Sequence, residues 1–516
     1  MPNELPLLRG HITLDRALDE DDNILAQLEY PAQEREFRSF LSARMTEIEA
    51  IVSFHLGSSD FQLGDEETWI SGSYNVCIPV YFSPASKKDD VYVRIPLPYK
   101  VGERNSPGNV EEKLRCEVAS YIWIQQNCPD IPIPALYGFG FPDGQTFTAP
   151  ENVPRFTRLL SYVKRTLFSW FGTATPSRYI RRRRLDILKT GYIIISRVIE
   201  GEMLSISWDS FRHDAVRRSN LFHDIARITL SLNKARLPRI GSLSFNDSGH
   251  LALTNRPLTL RLQTLENEGI PTPLDRNSTY TVVEPYVLDL LACHDHRIHH
   301  QPNSIHHHDD GEQQLAALTM MRAIMHHFLD PTYRHGPFVF TLTDLHQSNI
   351  FVDKDWHITS LIDLEWACSL PIEFQCLPYW LSGRAVDELT GERLDTFRRL
   401  ATEYLDAFEQ EERRILGTNL FQTPIMRKGW ETGSFWYVHA VNSPKGLFRL
   451  FNDHLQRIFC PEHCTTKVFD QVVARYWSVD AAAVIRAKLD DETAYKHRLE
   501  KAFADKLNIL GTQPRK

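Results

Sequence analysis

The sequence contains no long hydrophobic run. No stretch approaches the roughly 18–20 continuous apolar residues that cross a bilayer, and residues 1–30 are acidic and lack the apolar centre of a signal peptide. We therefore expect no transmembrane segment and no secretory or mitochondrial targeting signal, which indicates a cytoplasmic protein.

Cysteine is scarce, with eight residues in a chain of 516 and no repeated spacing. This excludes a small disulfide-stabilised scaffold and predicts reduced thiols. Cys460 and Cys464, with His463 between them, could form half of a metal site. Because no second pair follows at ligand spacing, we interpret them as part of an ordinary loop.

The chain also lacks an excess of basic charge, since 58 Lys and Arg against 66 Asp and Glu give a net charge of −8. A mildly acidic chain matches a phosphate backbone poorly, so we expect no nucleic-acid partner. With 42% apolar and 24% charged residues, the composition is that of a globular protein and not of a disordered or fibrous one. The length allows two to four domains or one large two-lobed unit. Nothing in the sequence specifies an oligomeric state.

The first 200 residues contain both helical and strand patterns. Apolar residues at helical spacing predict a helix over residues 35–56, and β-branched and aromatic residues predict strands within 69–82 and 91–97. Asn109, followed three residues later by a glutamate, has the form of a helix N-terminal cap and predicts a helix of about four turns. Residues 191–199 are typical of a buried strand. We expect a small mixed sheet with one helix, followed by a mostly helical remainder.

Residues 155–189 differ from the rest of the chain in charge. They contain ten Lys and Arg residues and a single acid, Asp186, which gives a local net charge of +9. Apolar residues between Phe156 and Phe171 fall on one face of a predicted helix. Such a helix can contact an anionic membrane or an acidic partner. Alternatively, the apolar face packs on the protein and the arginines remain in water, which is the interpretation we favour.

The most informative part of the sequence is the stretch 336–380. One apolar run ends at Asp344, a second begins after Asn349, and a third ends at Asp363; residues 353–355 form a turn between the last two. This alternation predicts a hairpin whose strands begin next to Asn349 and end at Asp363. The three polar side chains would then lie at the same end of the hairpin.

Two carboxylates and an amide at one site suit phosphoryl transfer. One carboxylate can accept the proton of an acceptor hydroxyl, while the amide and the second carboxylate hold Mg²⁺ against nucleotide phosphates. Mg²⁺ prefers hard oxygen ligands and retains several waters, so two protein ligands are sufficient.

These motifs, D-L-H-x-S-N-I-F-V-D and I-D-L-E-W-A, resemble those of the aminoglycoside phosphotransferase and choline kinase-like family, in particular its large eukaryotic members of fungal type. The resemblance covers roughly residues 65–380. It implies an α+β, two-lobed, protein-kinase-like fold with a small mixed-sheet N-lobe and a mostly helical C-lobe. The implied units are an acidic N-terminal arm and helix (1–60), an N-lobe (61–200) with the basic insertion 155–189, and a C-lobe (201–516) with the catalytic loop 341–366 and substrate-binding helices after it.

The resemblance also implies an ATP-dependent transfer of the γ-phosphoryl group to a small-molecule hydroxyl, with Mg²⁺. The phosphate-covering loop would be formed around Gly72, and the strand and helix residues that serve the phosphates would be Arg94 and Glu117. The implied roles are Asp344 as the catalytic residue, Asn349 and Asp363 as metal ligands, and Gly72, Ser73, Asn75, Arg94, Glu117, Ser196 and Val198 as nucleotide-site residues, the last two in the hinge.

Two departures from the family pattern support an alternative. Leu342 stands where the family often has a histidine, and Arg94 replaces the strand lysine. A pseudokinase-like module that binds nucleotide or a partner without efficient catalysis therefore remains open. A protein kinase is disfavoured because no A-P-E element follows Asp363.

Four further features of the sequence lead to separate expectations. His346 is expected to brace the catalytic loop. Glu365 could contact a metal or a cationic substrate, or it could form a surface or structural salt link. The histidine-rich stretch 294–308 is interpreted as a solvated loop between helices. Aromatic residues in 430–437 are expected to pack in a core and not to cage an amine. The acceptor itself is not identified.

Overall fold

The computed structural model describes residues 4–86, 88–172, 174–183, 188–461 and 467–512. It is a mixed α/β protein with a sheet-rich N-terminal region and a mostly helical remainder. Among these residues, no helix is both long and apolar enough to cross a bilayer.

The strands are β1 (Glu4–Pro6), β2 (His11–Thr13), β3 (Phe61–Leu63), β4 (Ile70–Ser71), β5 (Asn75–Phe82), β6 (Val91–Pro96), β7 (Leu136–Gly140), β8 (Gln145–Thr148), β9 (Ile180–Arg183), β10 (Tyr192–Ser196), β11 (Glu202–Met203), β12 (Arg236–Leu237), β13 (Ser242–Phe245), β14 (Leu251–Asn255), β15 (Phe338–Leu342), β16 (Ile350–Val352), β17 (Ile358–Leu361) and β18 (Ala367–Pro371).

The helices are α1 (Leu14–Asp19), α2 (Ile24–Gln27), α3 (Tyr30–Ser42), α4 (Met45–Leu56), α5 (Asn109–Asn127), α6 (Arg155–Trp170), α7 (Leu204–Phe211), α8 (Ala215–Leu232), α9 (Leu260–Asn267), α10 (Val283–His300), α11 (His308–Ala323), α12 (Met325–Phe328), α13 (Gly391–Leu416), α14 (Gln422–Thr432), α15 (Ser434–Val441), α16 (Leu447–Leu450), α17 (Gln456–Phe459), α18 (Lys467–Val473) and α19 (Ala481–Thr512).

The large sheet has the strand order β3-β5-β6-β10-β7-β8-β9, with β4 paired to β5. Every strand pair described in it is antiparallel, so the expectation of a mixed sheet is wrong. Valine and isoleucine dominate its central strands because β-branched side chains suit a pleated, buried surface. One face packs against α4 and the other against α5.

Helix α5 begins where predicted, but its cap differs from the prediction. The N-cap is Gly108, in the left-handed region, and Asn109 is the first helical residue, with its amide donating to Val101 and Glu266. The Glu103 carboxylate accepts from the amides of Gly108 and Val110 at 2.8 and 2.7 Å. A carboxylate outside the helix therefore satisfies its first N–H groups, as a capping side chain would.

The N-terminal arm is folded against the end of the chain. Leu5, Ile12 and Ala17 form a buried cluster with Tyr495 and Leu499 of α19. The single helix predicted over 35–56 is instead two helices, α3 and α4, since the chain turns at residues 43–44.

The structure also tests the expectations for the histidine-rich stretch and the aromatic stretch of the helical remainder. The histidine-rich stretch 294–308 is not a solvated loop: it begins inside α10, His294 is buried, and His306 pairs with two acids. The aromatic stretch 430–437 is core, as predicted, with Phe435 and Tyr437 buried. No disulfide joins the described cysteines, and Cys464 lies outside the described residues.

Candidate active site

The predicted hairpin is confirmed and positions two of the three polar residues. Strands β16 and β17 pair antiparallel with Ile350 opposite Leu361, and the Ile362 amide donates to the Asn349 carbonyl at 3.0 Å. The start of one strand thus lies beside the end of the other. Asn349, one residue before Ile350, and Asp363, two residues after Leu361, are brought to the same end.

Asp344 lies in the loop between β15 and β16 and is held by Asn349. The Asn349 amide nitrogen donates to the Asp344 carbonyl at 2.8 Å and lies 3.5 Å from its carboxylate. Because the nitrogen makes both contacts, the amide oxygen is the atom available to coordinate a cation. His346 supports the same loop, since its Nδ1 accepts from the Ser348 amide.

Asp363 has an unusual backbone conformation. Its φ and ψ are 59° and 60°, in the left-handed region that non-glycine residues rarely occupy. Its carboxylate is 31% exposed and lies 2.6 Å from Arg94 Nη1. Strained backbone of this kind persists where surrounding contacts hold it and is concentrated at functional sites.

Arg94 lies at the centre of a buried group of charges. From β6 its guanidinium meets Glu117 of α5 at 3.0 Å, Asp363 at 2.6 Å and Glu365 at 2.5 Å. The expected pairing of Arg94 with Glu117 is therefore present. Glu365 makes a buried structural salt link, which was one of its predicted alternatives.

Lys113 belongs to the same group and was missed by the sequence analysis. Its ammonium is fully buried, donating to Asn75 Oδ1 at 2.7 Å and to Glu365 at 2.8 Å, with Glu117 at 3.2 Å. The only local signal is the Lys113/Glu117 spacing of four residues on one helix. Lys113 therefore adds a second cation to the group, from a different element than Arg94.

The cluster contains more negative than positive groups. Arg94 and Lys113 face three carboxylates, those of Glu117, Asp363 and Glu365. Asp344 lies close enough to Glu365 and Asp363 for their charges to act on it. Burial, followed by repulsion from Glu365 and Asp363, raises the pKa of Asp344 to about 7. Burial opposes ionisation of Glu365, but Lys113 and Arg94 outweigh it and lower its pKa. Negative groups therefore exceed positive ones in the cluster, which favours a bound cation.

The glycine loop is placed between β4 and β5. The Gly72 amide donates to the Asn75 carbonyl at 2.8 Å, which closes the turn. Gly72 and Ser73 line a cavity of about 410 Å³. Asn75 faces the other way: it is buried, and its side chain joins Lys113 to Glu365, so it contacts the charged cluster and not the loop cavity.

The predicted hinge follows the end of β10. Ser196 exchanges hydrogen bonds with Ala135, its Oγ accepting from the Ala135 amide at 2.9 Å. Val198 is half-buried and lies outside any regular element. Gly201, with φ of 84°, then turns the chain into β11; a Cβ there would lie 2.5 Å from the Val352 carbonyl oxygen. The structure does not bring Ser196 and Val198 into the charged cluster.

A second cavity, of about 260 Å³, opens beside Asp344. Its polar lining includes Arg261, Tyr379, His439 and Asn442. Burial lowers the pKa of His439 to about 3, which keeps its imidazole neutral. Arg261 Nη1 contacts Ser443 Oγ at 3.3 Å. Among the described residues Arg261 makes no direct ion pair, although the charges of Asp387 and Asp344 act on it. Its guanidinium therefore lines the cavity that reaches Asp344.

Two solved structures of phosphotransferases are similar to this chain. Plasmodium vivax ethanolamine kinase is 12% identical, with 82% of this chain and 86% of that chain covered and a TM-score of 0.36. Macrolide 2'-phosphotransferase type I is 10% identical, with coverage of 84% and 97% and a TM-score of 0.32. No family model and no curated protein matches the sequence.

Proposed function

We propose that the chain is an ATP-dependent O-phosphotransferase with a two-lobed, protein-kinase-like fold and a small-molecule acceptor. The observation that carries the proposal is the convergence of Asp344, Asn349 and Asp363 beside the paired cations Arg94 and Lys113. Separate elements supply these groups, which is the arrangement that phosphoryl transfer requires.

The donor set fits Mg²⁺. The Asn349 amide oxygen and the partly exposed Asp363 carboxylate are hard oxygen ligands of the kind that Mg²⁺ prefers, and the excess of negative groups in the cluster favours a bound cation. When bound, the ion would neutralise charge on the nucleotide phosphates. The residues that would hold it are Asn349 and Asp363.

Asp344 is the proposed proton acceptor. Its carboxylate would accept the proton of the acceptor hydroxyl as the acceptor oxygen bonds to the γ-phosphorus and the bond to the ADP oxygen breaks. Arg94 and Lys113 would hold the carboxylates of the site in position. Because these groups are buried and fixed, positioning and electrostatic stabilisation would supply most of the rate.

The cavity lining suggests the class of acceptor. Arg261 lines a partly buried cavity and makes no direct ion pair with a carboxylate among the described residues, so an anionic group on the acceptor would be a suitable ligand. Tyr379 and Asn442 offer further hydrogen bonds in the same cavity. We therefore propose a hydroxyl compound that carries a carboxylate or phosphate, and not a cationic amine.

Comparison of Asp344→Ala with Asp355→Ala tests the proposed function. Asp355 lies in the turn of the same hairpin and is exposed, so its substitution controls for effects on folding. In a screen of hydroxyl metabolites for ATP consumption, Asp344→Ala should lose about 10²–10⁴-fold in kcat while retaining Mg·ATP binding. Full activity of Asp344→Ala would contradict the assignment.

The alternative, a pseudokinase-like module, is favoured by one contact. Asp363 is paired with Arg94 at 2.6 Å, and this pair would have to open before Asp363 could ligate a metal. Thermal-shift titration with ATP or ADP and Mg²⁺ distinguishes the two. The enzyme requires stabilisation that grows with nucleotide concentration, and nucleotide-dependent stabilisation without turnover would favour the module.

A further inference from the structure

Helix α6 carries a continuous apolar stripe that the described part of the chain leaves exposed. At about 100° per residue, seven exposed apolar positions fall within one third of the helix circumference, with no polar position among them. Tyr162 and Phe168 lie outside this third. Each of these residues is between 44% and 80% exposed. The stripe consists of Phe156, Leu159, Leu160, Val163, Leu167, Trp170 and the adjoining Phe171.

The opposite side of the helix contacts the protein. Arg165 Nε donates to the Pro176 carbonyl at 3.1 Å, and the Phe168 ring lies 6.4 Å from that of His250. Both residues project away from the stripe. The orientation is therefore the reverse of an ordinary surface helix, and the expectation that the apolar face packs on the protein is wrong.

Basic residues border the stripe. Arg155 and Lys164 are exposed and lie about 90° to either side of its centre. Arg181 and Arg183 are exposed on β9, the edge strand of the large sheet. Since residues 155–189 carry +9 in a chain of −8, the rest of the molecule carries −17. An anionic surface would therefore attract this region and repel the remainder.

We propose that α6 binds an anionic lipid membrane, lying in the plane of its surface with the apolar stripe inserted at the boundary between headgroups and acyl chains. An uninterrupted apolar stripe matches a laterally uniform apolar phase, and basic residues on both edges match lipid headgroups on both sides. Aromatic residues at both ends, Phe156 and Trp170, suit the interface. The proposal does not depend on the function of the cleft.

Flotation of the full-length chain with lipid vesicles tests the proposal. We expect at least tenfold more binding to phosphatidylcholine vesicles containing about one-third phosphatidylserine than to pure phosphatidylcholine, with the difference reduced at high salt. Replacing the stripe residues Leu160 and Leu167 by serine should abolish binding. The reversals Arg155→Glu and Lys164→Glu should reduce it at least tenfold.

Matched variants elsewhere on the surface control for general effects. Ile206→Ser and Val216→Ser remove apolar side chains that are 70% and 71% exposed outside α6, while Arg384→Glu and Arg399→Glu reverse exposed charges. All should bind vesicles as the unchanged chain does. Failure of the unchanged chain to bind anionic vesicles overturns the proposal, as does binding that survives the stripe substitutions. The chain could instead self-associate without binding vesicles, and the stripe substitutions could abolish that self-association. This result would identify a second copy of the chain as the occupant of the stripe and would also overturn the proposal.

Discussion

Lys113→Met is the most direct test of the buried charge cluster. The substitution keeps an unbranched side chain of similar length but removes the cation that Asn75, Glu117 and Glu365 share. The two glutamates would then remain buried with only Arg94 to balance them. Breaking a buried ion pair by removing one partner costs about 3–5 kcal/mol. Because unfolding entropy is roughly 2 cal/mol/K per residue, a chain of this length should lose about 1 °C in Tm per kcal/mol, or about 3–5 °C in all.

The assay is thermal unfolding at a fixed scan rate, with Lys354→Met, an exposed lysine in the β16–β17 turn, as the matched control. The double variant Lys113→Met with Glu365→Gln removes the partner as well. Its loss of unfolding free energy should be about 1–3 kcal/mol smaller than the sum of the two single losses, because the charge on Glu365 no longer remains buried without the lysine. A Tm loss no greater than that of Lys354→Met, or strictly additive effects, would refute the reasoning.

Two further predictions concern other parts of the molecule. Arg261→Gln should raise KM for anionic acceptors at least tenfold and leave Mg·ATP binding unchanged. An equal rise in KM for neutral acceptors would count against an anion subsite. A lack of ATP binding by the unchanged chain would count against the proposed kinase activity itself. His306 lies 3.0 Å from Asp21 and 2.9 Å from Glu492, and these hydrogen bonds raise the pKa of His306 to about 10. A raised pKa stabilises the folded state below about pH 6.5, and this contribution is lost as the pH rises towards 10. His306→Gln should therefore lower the free energy of unfolding by about 2 kcal/mol at pH 6 and by much less at pH 10. A loss of unfolding free energy that is independent of pH in denaturant titrations would contradict the pairing.

Local patterns were sufficient to predict much of the site. Strand β15 and the β16–β17 hairpin follow from apolar runs separated by turn residues, and the hairpin alone explains why Asn349 and Asp363 meet. Helix α5 is also predicted from a local pattern, the helical spacing of its apolar residues. Its N-terminal cap is predicted wrongly because the acid that caps the helix, Glu103, precedes it by several residues.

Long-range contacts account for what the sequence did not reveal. Lys113 resembles any helical surface lysine until Asn75 and Glu365, 38 and 252 residues away, enclose it. The orientation of α6 has a similar cause: the helical period identifies the two faces, but the contact of Arg165 with Pro176 decides which face is outward. The sequence pattern of a helix identifies its apolar and polar faces, whereas tertiary contacts determine which of those faces packs on the protein.

The closure of the N-terminal arm on α19 has a consequence for synthesis on the ribosome. The Ile24 amide donates to the Tyr495 hydroxyl across 471 residues of sequence, and Leu5 and Ile12 are buried against the same helix. During synthesis the arm is therefore made well before the helix that covers it. Leu5 and Ile12 have no partner in α19 until that helix has been made, so this part of the core can close only after the segments between them have been made.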